Sequence, residues 1–205
     1  VVVKDEANRR YVRREQTHAI GVFLDGVSLD RAARRLNKKV DWKLLVKIIS
    51  EGRIPKLLRY YTVIPHEDDA RHHSFLGAVE GAGFQVIVKR LPPKGINRNV
   101  TIDLEMSSDI VAFGLGLRDL PASTDPASKE GSRDSRGENK PSETRTPEKA
   151  EIILICPPND LEYPLRLIAD REVKITVVDF KGSGTSELIK VSSKWMDLSD
   201  APIYR

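Results

Sequence analysis

Ala19-Ile20-Gly21-Val22-Phe23-Leu24-Asp25-Gly26 is the stretch that decides the fold. Six mostly apolar residues run straight into an aspartate and a glycine. An apolar run this short, closed by a turn signal, predicts a buried strand of a parallel sheet. Asp25 then stands at the strand's carboxyl end, the edge where open α/β sheets bind their ligands. A carboxylate there, followed by a glycine that lets the chain turn, presents charge to a metal or a phosphate. The competing reading is that Asp25 only caps the helix that follows.

Working outward, the same pattern recurs. Residues 57–64 are β-branched and aromatic and end at Pro65, a second strand; 84–91, 151–156 and 173–180 are the third, fourth and fifth. Helical stretches separate them. Ser28 to Leu36 is helix-prone, with Ser28 as expected N-cap. Asp41 to Glu51 places Trp42, Leu45, Val46 and Ile49 on one face, Trp42 as core, with Gly52 as the stop. Residues 70–82 form a helix ended by Gly83, with Asp68 or Asp69 as its cap. Further helices run over 101–113, to about Asp170, and over 186–194. Alternating strands and helices predict one three-layer α/β/α domain with a mainly parallel sheet.

The bulk numbers set bounds. The 205 residues are 40% hydrophobic and 31% charged, with a net charge of +4, which fits one polar-surfaced globular domain compatible with nucleic acid. The lone cysteine, Cys156, excludes an internal disulfide and a cysteine-built zinc site, so a reducing, cytoplasmic setting is expected. No apolar run approaches the roughly 20 residues of a membrane span. The chain starts on Val1, without a methionine or a signal-peptide pattern, and the start reads as trimmed.

Residues 1–17, with Arg9, Arg10, Arg13 and Arg14, read as a basic arm suited to a phosphate backbone or as a solvated tail. The domain spans 18–198, and 199–205 reads as a C-terminal tail. Residues 118–150 hold no aromatic, four prolines, and seven cations against seven anions. Such a stretch buries too little apolar surface to offset its ordering entropy, so it reads as a disordered insertion within the domain.

Carboxylates gather in the predicted topology. Asp25 and Asp160 follow strands at one edge, and Asp103 and Asp109 open the helix after a third strand. Asp103 and Asp109 are about 240° apart around a continuous helix, so they meet at one point only if Asp103 precedes the first turn. Four acids at one edge repel one another unless a cation lies between them; Mg²⁺ or Mn²⁺, which prefer oxygen ligands, are the expected ions. Beside them Lys89, Arg90, Lys94 and Arg98 make an acid-free basic loop suited to a phosphodiester. By contrast, His66, Glu67, Asp68 and Asp69, with His72 and His73, only superficially resemble a metal cluster.

Phe23-Leu-Asp25-Gly26, Arg59-Tyr-Tyr61, Ala82-Gly-Phe84 before a Val/Ile strand, Lys94-Gly95, the Asp103…Asp109 pair and Thr185-Ser186-x-Leu188 occur in that order. This ordered set resembles NYN domains, PIN-like nuclease domains, and most of all their LabA-like branch, over roughly residues 18–198. The resemblance implies a PIN-like sheet with helices on both sides and a metal-dependent endoribonuclease. It implies Asp25, Asp103, Asp109 and Asp160 as the acidic site, with Asp25, Asp109 and Asp160 as ligands of Mg²⁺ or Mn²⁺ activating water for in-line displacement. RNA is the partner so implied; a second copy or a protein partner stays open. Lys89, Arg90, Lys94 and Arg98 would steer the RNA backbone.

The chain departs from the family at one motif. Where the family usually has Ser-Gly-Asp-x-Asp-Phe, this chain has Cys156-Pro157-Pro158-Asn159-Asp160-Leu161. Asp160 matches the second aspartate, and Pro158 replaces the first. The alternative function is therefore a catalytically degenerate NYN domain that binds RNA or a protein partner. A phosphatase of the haloacid-dehalogenase kind wants an aspartate where Val27 stands, and a receiver domain wants one at the third strand's end, where Lys89 to Leu91 offer none.

Overall fold

A computed structural model describes residues 18–67, 70–96, 100–117, 119–121, 149–183 and 186–204. The basic arm 1–17, nearly all of the insertion, and Asp68, Asp69, Arg98 and Thr185 lie outside the described residues. The strands are β1 (His18–Asp25), β2 (Leu57–Ile64), β3 (Gln85–Arg90), β4 (Lys149–Ile155), β5 (Lys174–Asp179) and β6 (Lys194–Asp197). The helices are α1 (Gly26–Arg35), α2 (Trp42–Ile49), α3 (Ala70–Glu80), α4 (Asp103–Gly114), α5 (Glu162–Ala169) and α6 (Ser186–Val191). The strands form one sheet in the order β3-β2-β1-β4-β5-β6, every pairing parallel.

Parallel neighbours need crossovers, and crossovers cover both faces of the sheet with helices. Phe23, Tyr61, Ile152, Leu154 and Val177 point to one face, against Met106, Ile110 and Phe113 of α4 and Leu165 and Ile168 of α5. Val22, Leu24, Tyr60, Ile153 and Val178 point to the other, against Leu29 of α1, Leu45 and Ile49 of α2 and Val79 of α3. Burying each such side chain stabilises the fold by about 1.5–3 kcal/mol. Both faces of β1 are covered, which is why its sequence is a continuous apolar run instead of an alternating one. Trp42 joins the core as expected, edge-on to Tyr60 at 5.7 Å.

The expected α/β/α architecture is present, with local corrections. Helix α1 starts at Gly26 because Asp25, not Ser28, is its N-cap. Gly26 serves space, not an unusual turn: a Cβ there would overlap the Tyr60 ring. Strand β4 begins at Lys149, inside the span read as insertion. The helix read over 186–194 ends at Val191, and the chain continues into β6, a sixth strand. Of the expected tail, the described residues 199–204 are no loose end either. Leu198 and Ile203 are fully buried, Asp41 N–H donates to the Ile203 carbonyl at 2.7 Å, and Tyr204 bridges Val40. This segment covers the sheet face that α1–α3 leave open near β4 and β5. No helix of the described residues is long and apolar enough to cross a membrane.

Candidate functional site

The carboxyl edge of the sheet holds the expected residues, in a different arrangement. Asp25 ends β1 and is 7% exposed. Its Oδ1 accepts from the N–H groups of Val27 at 2.9 Å and Ser28 at 3.1 Å, and its Oδ2 accepts from the Ser28 hydroxyl at 2.6 Å. The carboxylate thus satisfies the orphan donors of α1. Burial pushes its pKa up, the bonds to Ser28 and Val27 pull it back, and the charge of Asp103 pushes it up again.

Helix α4 follows β3 and returns to the start of β4, so it descends from the carboxyl edge. Asp103 stands in its first turn, within electrostatic reach of Asp25. Asp109 lies six residues on, about 9 Å further down the axis. There its Oδ2 accepts from Arg59 Nη1 at 2.9 Å and from the Tyr61 hydroxyl at 2.7 Å. Arg59 is 1% exposed and Tyr61 is fully buried. Burial raises the pKa of Asp109 more than Tyr61 and Arg59 lower it, and burial beside Asp109 raises that of Tyr61 well above its ordinary value. Arg59 Nε and Nη2 and Glu105 Oε2 are buried with no partner among the described residues.

Asp160 lies in a single 3-10 turn, Asn159–Leu161, five residues beyond the end of β4, and is exposed. Asp25, Asp103, Asp109 and Asp160 form no single group among the described residues. Asp25 and Asp103 are within electrostatic reach of each other, Asp109 is held by Arg59 and Tyr61, and among the described residues no three His, Cys, Asp or Glu side chains group as a metal would need. The physical reason is the one noted at the sequence level: α4 is continuous from Asp103, so the two aspartates leave it in different directions and at different heights.

The basic loop is also partly committed. Lys89 Nζ contacts Glu105 Oε1 at 2.7 Å and donates to the Thr101 carbonyl at 2.8 Å. Arg90 is engaged as well, whereas Lys94 is exposed. Glu105 is thus the ion-pair partner of Lys89. Sequence reasoning missed the Arg59–Asp109 pair. The signal was present: an arginine in the middle of an apolar strand requires a buried partner.

Sequence reasoning also missed a cleft of about 260 Å³ at this edge. Ser28, Arg31, Ala32 and Arg35 form one wall, at the helical spacing that puts them on one face of α1. Cys156 and Pro157 after β4, with Asp179 at the end of β5 and Phe180 to Ser183 beyond it, form the floor and the other wall. Burial raises the Cys156 thiol pKa well above its ordinary value, and the charges of Asp179 and Asp25 add to this, so the group stays a thiol hydrogen-bonded to Asp179. Cys156 takes a positive φ of 50°, turning the chain away at the end of β4. The cleft sits beside the reversal of strand order between β1 and β4, the crevice where doubly wound sheets bind ligands.

Comparison with known proteins adds the fold alone. No family model and no curated protein matches the chain. The crystal structure of a protein of unknown function from Vibrio parahaemolyticus is similar, with a TM-score of 0.63 at 14% identity over 90% of this chain and 95% of that one. Nearly the whole chain therefore shares one α/β architecture with it.

Proposed function

We propose that this chain is a catalytically degenerate NYN-type domain that binds RNA along the carboxyl edge of its sheet. One observation carries the reading: two of the three acids expected to hold a metal, Asp25 and Asp109, are engaged in the protein's own structure. Asp25 accepts three hydrogen bonds at the start of α1, and Asp109 is paired with Arg59 and Tyr61. The set Asp25, Asp109 and Asp160 therefore fits Mg²⁺ or Mn²⁺ poorly. The same edge carries Arg31, Arg35, Lys94 and Lys181 at the surface, cations suited to backbone phosphates.

Metal-dependent ribonuclease activity is the second reading, favoured by the proximity of Asp25 and Asp103. Mg²⁺ is commonly held by one or two carboxylates together with substrate phosphates. One experiment separates the two. A labelled single-stranded RNA is titrated with protein at increasing salt, then incubated with Mg²⁺ or Mn²⁺. Binding that weakens with salt, without metal-dependent cleavage, is the expected result. Cleavage that Asp25→Asn and Asp103→Asn both abolish replaces this reading with the nuclease. Absence of both binding and cleavage overturns both.

A further inference from the structure

We infer that the cleft between α1 and the ends of β4 and β5 binds a phosphate monoester, carried by an RNA terminus or a free mononucleotide. The inference deepens the RNA-binding reading and rests on it where the phosphate belongs to a strand.

The charges come first. Three cations line the cleft, Arg31, Arg35 and Lys181, against one carboxylate, Asp179. Among the described residues no acid forms an ion pair with any of the three. Arg34, on a different face of the same helix, is paired with Asp30 at 2.8 Å. The Asp179 carboxylate on the floor is buried and committed: its Oδ1 accepts from the Phe180 N–H at 2.8 Å, and the Cys156 thiol bonds it too. The lining thus carries two more cations than anions. A phosphate monoester carries about −1.5 to −2 at neutral pH, against −1 for a diester within a strand, so the monoester matches the lining better.

Shape comes second. At about 260 Å³ the cleft is smaller than the roughly 300–1,000 Å³ of drug-sized ligand sites, so it holds a phosphate and part of one nucleoside, not a dinucleotide. Several backbone amides nearby are already used. Val27 and Ser28 N–H groups go to Asp25, which closes the start of α1 to an anion. Lys181 N–H goes to Asp197 and Ser199. Recognition therefore falls to the side chains of Arg31, Arg35 and Lys181, long enough to close over a bound phosphate.

The test compares one single-stranded RNA in three forms, 5′-phosphorylated, 3′-phosphorylated and without terminal phosphate, with AMP titrated separately by calorimetry. A terminal phosphate is expected to tighten binding about tenfold, as charge-assisted contacts from two or more cations would. The double variant Arg31→Gln with Arg35→Gln is expected to erase that difference and to abolish AMP binding. It replaces exposed residues, so a thermal melt checks that the fold survives. Whichever strand end gains the affinity is the terminus recognised; AMP binding without any strand preference assigns the site to free nucleotides. Equal binding of all three RNA forms, with no AMP binding, overturns the inference and leaves the RNA-binding reading standing. If no RNA binds but AMP does, and the double variant abolishes it, the cleft stands and the RNA-binding reading falls. Silence in every arm overturns both.

Discussion

Two charged regions of this molecule lie on opposite faces of its sheet, and their chemistry is opposite too. Under α4, Arg59 and Tyr61 both donate to Asp109, and the three side chains are largely shielded from solvent. Beside α1, Arg31 and Arg35 stand exposed along a cleft, with no acid among the described residues paired to them. The first arrangement holds two secondary structure elements together. The second leaves its charge for something else to neutralise. The difference lies in what stands opposite each charge, not in its position along the chain. Arg59 comes from the middle of β2 and takes Asp109 for the fold.

The largest expected effect breaks the sealed side. Asp109→Ala leaves Arg59, 1% exposed, as an uncompensated buried charge, and should destabilise the protein by about 3–5 kcal/mol in denaturant titrations. The raised pKa of Asp109 does not contradict this. Burial penalises the carboxylate by more than Tyr61 and Arg59 return, yet its removal strands the arginine. Replacing both together, Arg59→Met with Asp109→Leu, should recover most of the loss. A double variant as unstable as the single one would mean that the pair is not the unit.

An intermediate effect is expected where a pair is sealed on one side only. Glu151 of β4 takes a two-pronged contact from Arg53, at 2.6 and 2.7 Å, with Glu151 buried and Arg53 about one-third exposed. The hydrogen bonds to Arg53 hold its carboxyl below the ordinary value of 4.5. The pair's stabilisation is therefore complete above that value and is lost as pH falls through the lowered one. Glu151→Gln should cost about 1.5–3 kcal/mol at neutral pH, with the gap to wild type closing on acidification. A gap independent of pH would show that packing, not charge, is responsible.

The smallest effect belongs to the open side. Arg31→Gln should change stability by no more than about 0.5 kcal/mol, as exposed positions without partners do. A larger loss in a thermal melt would show that Arg31 supports the fold, and would erase the contrast between the two regions.

Much of the fold was legible because a strand buried on both faces writes itself as an apolar run. β1 and β2 could be read nearly residue by residue from 18–25 and 57–64. The apolar face of α4 was equally plain, since Ile102, Met106, Ile110 and Phe113 recur at helical spacing and all four are buried. β6 was not legible. Four residues at a sheet edge, Lys194-Trp-Met-Asp197, carry neither a run nor an alternation. Nor was the packing of Leu198 and Ile203, whose partners lie far away in the chain.

The candidate site divides in the same way. The sequence by itself determined that Asp25 ends a central strand, that α4 carries acids near its start, and that cations accumulate near the carboxyl edge. These are local facts of pattern and order. Only the tertiary structure decided which charges neutralise each other. Asp109 and Arg59 are 50 residues apart, and the cleft draws on α1, β4 and β5. Electrostatic partnership depends on distance through space and on burial, and neither is written in the spacing of residues along one chain.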